Sequence, residues 1–207
     1  MVMVQTIRFL PAALAEEAGE YGSLVLVLGV GGLRWGEAAA LRVGDIDWLH
    51  RRISLHRNAV AVRGQTVVGS LKSNKSRTLV MPAFVIETLA KTAEGKDRDD
   101  LLWPSSSGDY QHPPRVRSWL SAAVARCQKV DPGFPRVTAH DLRHTAASLA
   151  IHAGANVKVV QRMLGHASAA MTLDTYAGLF PSDSDSVAQN VAKMWPQGLQ
   201  AGSDKAL

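Results

Sequence analysis

Between Thr138 and Tyr176 the apolar positions fall at helical spacing. Leu142, Ala146, Leu149 and Ala150 recur three or four residues apart, as on one face of a helix. Thr138 precedes that run with Asp141 three residues on, the spacing of a capping box, so the helix is predicted to begin there. In that register His140 and Arg143 share a face within the first two turns, where free backbone N–H groups and the helix dipole favour an anion. Gly154 predicts a stop, and Val157 to Leu164 predicts a second helix closed by Gly165. His166 follows at once, and Tyr176 comes ten residues later on a third short helical run.

Elsewhere the pattern is mixed. Met1 to Thr6 reads as a leader, and Leu10 to Glu20 as a helix with Pro11 in its first turn. Tyr21 to Gly31 is apolar on every side, which suits a buried strand or a buried helix. Gly31 and Gly32 end it, and Gly36 to Leu41 predicts a short helix. From Asp45 to Met81 the texture is that of strands. Ile53, Leu55, Val60, Val62, Val67 and Val68, broken by Asn58, Gly64 and Gly69, predict a small antiparallel sheet of about three strands with a last turn at Lys72 to Ser76. Pro82 opens a helix from Ala83 to Glu94, and Glu94 to Asp100 is a charged loop. Leu101 to Pro104 is expected to pack into the core, although Trp103 also reads as a stacking platform for bases. His112 to Lys129 predicts a helix beginning near Pro113 and Pro114. Pro181 breaks the chain after Tyr176, Ser182 to Ser186 is polar, and Val187 to Trp195 is a short amphipathic helix before a disordered end. These elements predict one α+β domain, mainly helical, at 7–181, with a tail at 182–207.

A chain of 207 residues, 46% hydrophobic, supports one domain with a real core. Its net charge of +5 and isoelectric point of about 9.6 point to an anionic partner. The distribution says more than the total. Arg51 to Val80 holds seven basic residues and no acidic one, and Tyr110 to Val130 holds four and none. Such stretches suit a phosphate backbone, with Arg57, Lys75, Arg77, Arg115 and Arg117 as candidate contacts alongside Arg126. Cys127 is the single cysteine, so neither a disulfide framework nor a cysteine metal site is expected. No signal peptide is visible, and the longest apolar run, Leu24 to Val30, falls far short of the ~20 residues a membrane helix needs. A cytoplasmic protein is expected.

His140, Arg143, His166 and Tyr176 together suit phosphoryl chemistry. An arginine holds two non-bridging phosphate oxygens in a fork, and histidines donate hydrogen bonds or move protons near neutral pH. A tyrosine hydroxyl is a nucleophile only when activated. With a free pKa of ~10, about one phenol in a thousand is ionised at pH 7, a gap worth roughly 4 kcal/mol that guanidinium groups and an imidazole base could supply.

The H-x-L-R-H-T of His140 to Thr145, the L-G-H of Leu164 to His166 and the tyrosine ten residues later resemble the tyrosine recombinases, also called phage integrases. GVGGLRWGEAAALRVGDID, with Arg34 and Glu37, resembles that family's first arginine motif. The resemblance runs from about Arg8 to Phe180. It implies a mainly helical catalytic fold with a small antiparallel sheet, and favours helix for Tyr21 to Gly31. It implies that Tyr176 attacks a scissile DNA phosphate to form a 3′-phosphotyrosyl bond, that Arg34 and Arg143 bind the non-bridging oxygens, that His140 takes part in proton transfer and that His166 supports the phosphate. A lysine on the last hairpin, Lys72 by position or Lys75 as runner-up, would protonate the leaving 5′-oxygen. No cofactor is implied, neither metal nor ATP. The implied partners are double-stranded DNA at attachment or core sites, three further copies in a tetramer on DNA with a monomer alone, and accessory DNA-bending or directionality factors. Full-length integrases carry an N-terminal core-binding domain, which is expected to be absent here, since the chain begins almost at the catalytic domain.

Three other readings differ in class. His140 and His144 stand at i, i+4 as in metalloprotease helices, but HDLRH lacks the glutamate of HExxH and sets an arginine beside the cation. A DNA-binding module without chemistry needs no nucleophile. A type IB topoisomerase would use the same chemistry without joining two partner sites. His144 itself reads as a packing or supporting residue, and Arg34 either as a phosphate clamp or as a surface arginine paired with Glu37.

Overall fold

The stretch that is apolar on every side becomes a helix, α2 (Gly22–Gly31), buried along nearly its whole length in the computed structural model, which describes residues 2–62, 65–70, 76–180 and 184–194. A helix apolar all round needs neighbours all round. Three supply them: α1 (Val2–Glu17), α4 (Ala83–Ala93) and α6 (Ala139–His152). Leu14, Leu24, Leu28, Leu33, Leu89 and Leu142 meet in this core. Helix α1 begins at Val2, so Val2 to Thr6, read as part of a leader, form its first turns, and Pro11 lies inside the helix instead of in its first turn. Buried Leu10 and Leu14, one turn apart, tie the helix to the core across the proline.

Helix α2 stops at Gly32, whose φ of +68° lies in the left-handed region. A side chain there would strike Leu164 and Ala146. The close stop lets α3 (Trp35–Ala39) begin three residues later, with Arg34 at its N-cap.

A three-stranded antiparallel sheet is present, in the order β1 (Ile46–Asp47), β2 (Arg52–Leu55), β5 (Arg77–Val80). Ile53 and Leu55 bury one face of β2, and Ile53 is opposite Leu79. The strand-like valines lie elsewhere than expected. Val60, Val62, Val67 and Val68 belong to a separate hairpin of β3 (Arg57–Val62) and β4 (Gln65–Ser70), where all four are exposed. Among the described residues of that hairpin only Ala59 is buried, against Ala39 and Ala40, so β-propensity without a core face fixed the strand state of the valines but not their burial. The turn carrying Lys72 and Lys75 lies outside the described residues.

Helix α5 (Trp119–Val130) begins later than Pro113. Arg117 has a φ of +68°, which no helix accommodates, and Ser118 is the extended cap. Trp103 is buried and donates its indole N–H to Ser23 Oγ at 2.9 Å. Helix α6 starts where the capping box predicts: Thr138 N–H donates to Asp141 Oδ2 at 2.8 Å, and Asp141 N–H donates to Thr138 Oγ1 at 3.3 Å. After it come α7 (Val157–Leu164), capped by Asn156 and stopped at Gly165, α8 (Ala169–Tyr176), capped by Ser168, and α9 (Ser184–Met194). Ala147, Ile151, Val160, Leu164 and Tyr176 form a second, smaller core beneath α7 and α8. No described helix is long and apolar enough to cross a membrane.

Gly32→Ala should lower the unfolding free energy by about 2 kcal/mol or more, because a left-handed residue with a Cβ costs ~1–2 kcal/mol before any clash. The added Cβ would stand 2.9 Å from Leu164 Cδ2 and 3.3 Å from Ala146 Cβ. Urea unfolding reads the change; a wild-type midpoint would mean that the α2 stop relaxes freely.

Candidate active site

Three arginines from three parts of the chain converge on the end of α7. Arg77 on β5 donates Nε–H to the carbonyl of Met163 at 3.0 Å. Arg143 on α6 donates to the next carbonyl, Leu164, at 2.7 Å, and also to Gly32 O at 2.5 Å. Arg34 donates to the one after, Gly165, at 2.9 Å. Terminal helix carbonyls have no intrahelical partner and carry the negative end of the dipole, so cations belong there. Gly165 makes the approach possible. Its φ is +64°, and a Cβ on it would stand 2.7 Å from an Arg77 guanidinium nitrogen.

The same arginines share one carboxylate. Glu37 has a fully buried side chain. Arg77 donates to both its oxygens, at 2.8 and 2.7 Å, and Arg34 donates Nη1–H to Oε1 at 3.0 Å and its backbone N–H to Oε2 at 2.8 Å. Burial pushes the Glu37 carboxyl up, but the hydrogen bonds and charge of Arg77, then those of Arg34, outweigh it and hold the group below its ordinary range. Of the two sequence readings of Arg34, the pairing with Glu37 is present, and the side chain is still 45% exposed.

Three guanidinium groups around one carboxylate leave positive charge in excess. Burial, then the neighbouring charge of Arg34, lowers Arg143 to about 10, so it remains a cation at neutral pH under like-charge strain. Two of its five N–H groups are committed to carbonyls, and the other three have no hydrogen-bond partner among the described residues. His166, directly after Gly165, bonds through Nδ1 to the hydroxyl of buried Thr172 at 3.0 Å. Burial and the charges of Arg143, Arg34 and Arg77 press it down to about 4. It is neutral at pH 7. A Thr172 hydroxyl donating to Nδ1 would leave the ring's one N–H on Nε2.

Tyr176 ends α8 with its ring in the smaller core and only 5% exposed. Its hydroxyl lies 2.7 Å from His144 Nδ1. Burial raises the phenol above its ordinary value, and the charge of Arg143 acts the other way. His140 is exposed and stands edge-on to His144, ring centroids 4.6 Å apart. Thus Arg34, His140, Arg143, His166 and Tyr176 gather in one region, with His144 rather than His140 on the tyrosine. Lys72 and Lys75 lie outside the described residues. No group of three or more His, Cys, Asp or Glu among the described residues is arranged to hold a metal ion.

The arginines expected to follow DNA separate into two sets. Arg115 and Arg117 are exposed in the irregular segment before α5, Arg115 in a cleft with Arg136 and Thr138. Arg57 is bonded to Asp45 at 2.7 Å, Arg126 to Glu17 at 3.0 Å, and Arg77 is engaged with Glu37. The bridging place of Arg77 carries no local sequence signal, since its partner is forty positions away. The contact of His144 with Tyr176 had a faint one, the one-turn spacing from His140.

The fold, a helical domain with a small antiparallel sheet, is that of tyrosine recombinase catalytic domains. The chain belongs to the phage integrase family, whose sequence model matches residues 7–182. It is 28% identical to the ICEBs1 integrase of Bacillus subtilis (strain 168) over 77% of this chain and 45% of that protein. It is 30% identical to transposase A from transposon Tn554 of Staphylococcus aureus over 78% and 44%. The chain thus spans somewhat less than half the length of these relatives. Its fold matches the Tn1549 transposon integrase, solved in complex with circular intermediate DNA, with a TM-score of 0.70 at 18% identity over 86% of this chain and 59% of that one. It also matches the catalytic domain of bacteriophage HP1 integrase, with a TM-score of 0.58 at 23% identity over 86% and 89%.

Arg77→Met should destabilise the protein by about 3 kcal/mol, because it strips a buried carboxylate of its bidentate partner. Chemical denaturation measures this; a loss under 1 kcal/mol would show that Arg34 alone satisfies Glu37. His166 generates a pH dependence with a definite sign. Its folded value of about 4 lies below the ordinary 6.5, so between those values the unfolded chain binds more protons and stability falls as pH falls. The thermal midpoint of the wild type should therefore drop more steeply from pH 6.5 to 4 than that of His166→Gln. Parallel curves for the two proteins would contradict it.

Proposed function

We propose that this chain is the catalytic domain of a site-specific DNA recombinase that cuts and rejoins strands through Tyr176. The observation that carries the proposal is the excess of guanidinium charge around Glu37, beside a buried tyrosine hydroxyl and a neutral histidine. Such a site is complementary to a phosphodiester. Arg34 and Arg143 bind the non-bridging oxygens and stabilise the charge that develops on them. His166 donates its N–H to the same phosphate. Tyr176 attacks phosphorus and forms a 3′-phosphotyrosyl bond, a histidine of α6 takes the phenol proton, and Lys72 protonates the leaving 5′-oxygen. The phosphotyrosine conserves the bond energy, so a 5′-hydroxyl from a second strand reverses the step without ATP. Two rounds of exchange pass through a Holliday junction and engage four protomers on DNA. Arg115 and Arg117 suit backbone contacts. Val191 and Met194, exposed on α9, suit docking on a neighbouring protomer. The chain alone is a monomer that binds DNA weakly, with a strong salt dependence.

The test is covalent trapping on a nicked core-site duplex. Tyr176→Phe should abolish the protein–DNA adduct and leave DNA binding nearly intact, and an adduct in that variant would end the proposal. Arg143→Lys keeps charge and loses the fork, so cleavage should slow by about 10²–10³-fold. Relaxation of supercoiled plasmid with no joining of partner sites would assign a topoisomerase instead.

A further inference from the structure

We infer that His144 is the base that takes the proton from Tyr176, a role that rests on the recombinase reading above. The Tyr176 hydroxyl and His144 Nδ1 are 2.7 Å apart, the distance of a strong hydrogen bond. Two elements fix the pair. His144 stands on α6, and Tyr176 is seated in the core formed with Ala147, Ile151, Val160 and Leu164. Arg143 and His144 are adjacent on α6, about 100° apart around its axis. One therefore reaches the carbonyls of Gly32 and Leu164 while the other reaches the nucleophile. His140 meets His144 by ring edge and has no hydrogen bond to Tyr176. The charged and titratable groups facing His144 are His140, Asp141 and Arg143 from α6, Tyr176 from α8, and His166 from the turn after α7. Burial and the neighbouring His140 keep the His144 ring below its ordinary value, so it is neutral and able to accept.

The step balances. The phenol O–H breaks and its proton passes to Nδ1, while the electron pair on the phenol oxygen forms the bond to phosphorus. The bond from phosphorus to the 5′-oxygen breaks, and that oxygen takes a proton from the Lys72 ammonium. On rejoining, the imidazolium of His144 returns its proton to the departing phenolate.

A histidine NMR titration of the chain tests the direction of the hydrogen bond without any activity. If the phenol donates to Nδ1 it favours the neutral ring, so the His144 pKa should rise in Tyr176→Phe. A fall, as when Nδ1–H donates to the phenol, or no change, overturns the inference. Suicide-substrate cleavage against pH gives the second readout. His144→Gln should be about 10²–10⁴-fold slower, with a rate still climbing where the wild type is level. A fluorinated, more acidic tyrosine at position 176 should restore His144→Gln more than it speeds the wild type. A folded His144→Gln with the wild-type rate and profile sinks the role of His144, whereas an adduct surviving in Tyr176→Phe sinks the recombinase reading itself. Should His144→Gln fail to fold, the titration decides alone.

Discussion

The site depends on the way α7 ends. Its final carbonyls, at Met163 and Leu164, and that of the stop residue Gly165 are each claimed by a different arginine, and the three arginines come from β5, α6 and α3. A helix terminus must find donors for these groups or leave them to water. Here the donors are guanidinium groups, which would repel one another if brought together on their own. The carbonyl dipoles and the buried Glu37 carboxylate offset that repulsion. Elements remote in the chain are thus locked by the same bonds that assemble a cationic site.

Glycine geometry makes that convergence possible at two points. Gly32 ends α2 in the left-handed region and offers its carbonyl to Arg143. Gly165 ends α7 in the same conformation and leaves room for Arg77. Both stops lie beside Leu164, which packs on Gly32 and supplies a carbonyl to Arg143. Packing and electrostatics are therefore coupled here, and a change in side-chain volume near Leu164 is also a change in the position of a charge.

Much of this was legible in the sequence, for definable reasons. The capping box at Thr138 and Asp141, the stop at Gly165 and the periodicity of α6 are local, and local signals survive into the fold. The family resemblance covered what is not local, bringing Arg34 and Arg143 into one reading. The valines of β3 and β4 misled because strand preference does not say which face finds a core. Arg77 read as one more basic residue in a basic stretch, since nothing nearby reveals a carboxylate forty positions upstream. The start of α5 was placed too early because two prolines suggested a first turn, while Arg117 adopts a backbone conformation that delays it.

The free site is balanced against its own chemistry, and an anion would tip it. Without one, burial and then like-charge neighbours lower Arg143 and His166, and burial raises Tyr176. A phosphodiester among the arginines would relieve their repulsion and favour protonation of His166. Its charge would also press against ionisation of Tyr176, so the phenol would not become a phenolate in advance. In the proposed reaction, proton removal would then accompany attack, as the bond to phosphorus forms and draws charge off the oxygen. That sequence needs a neutral base already in contact with the hydroxyl, and among the histidines near Tyr176 the one in hydrogen-bond contact is His144. By linkage, a phosphate bound at the arginines would favour protonation of His166, and protonating His166 would strengthen that binding by the same factor.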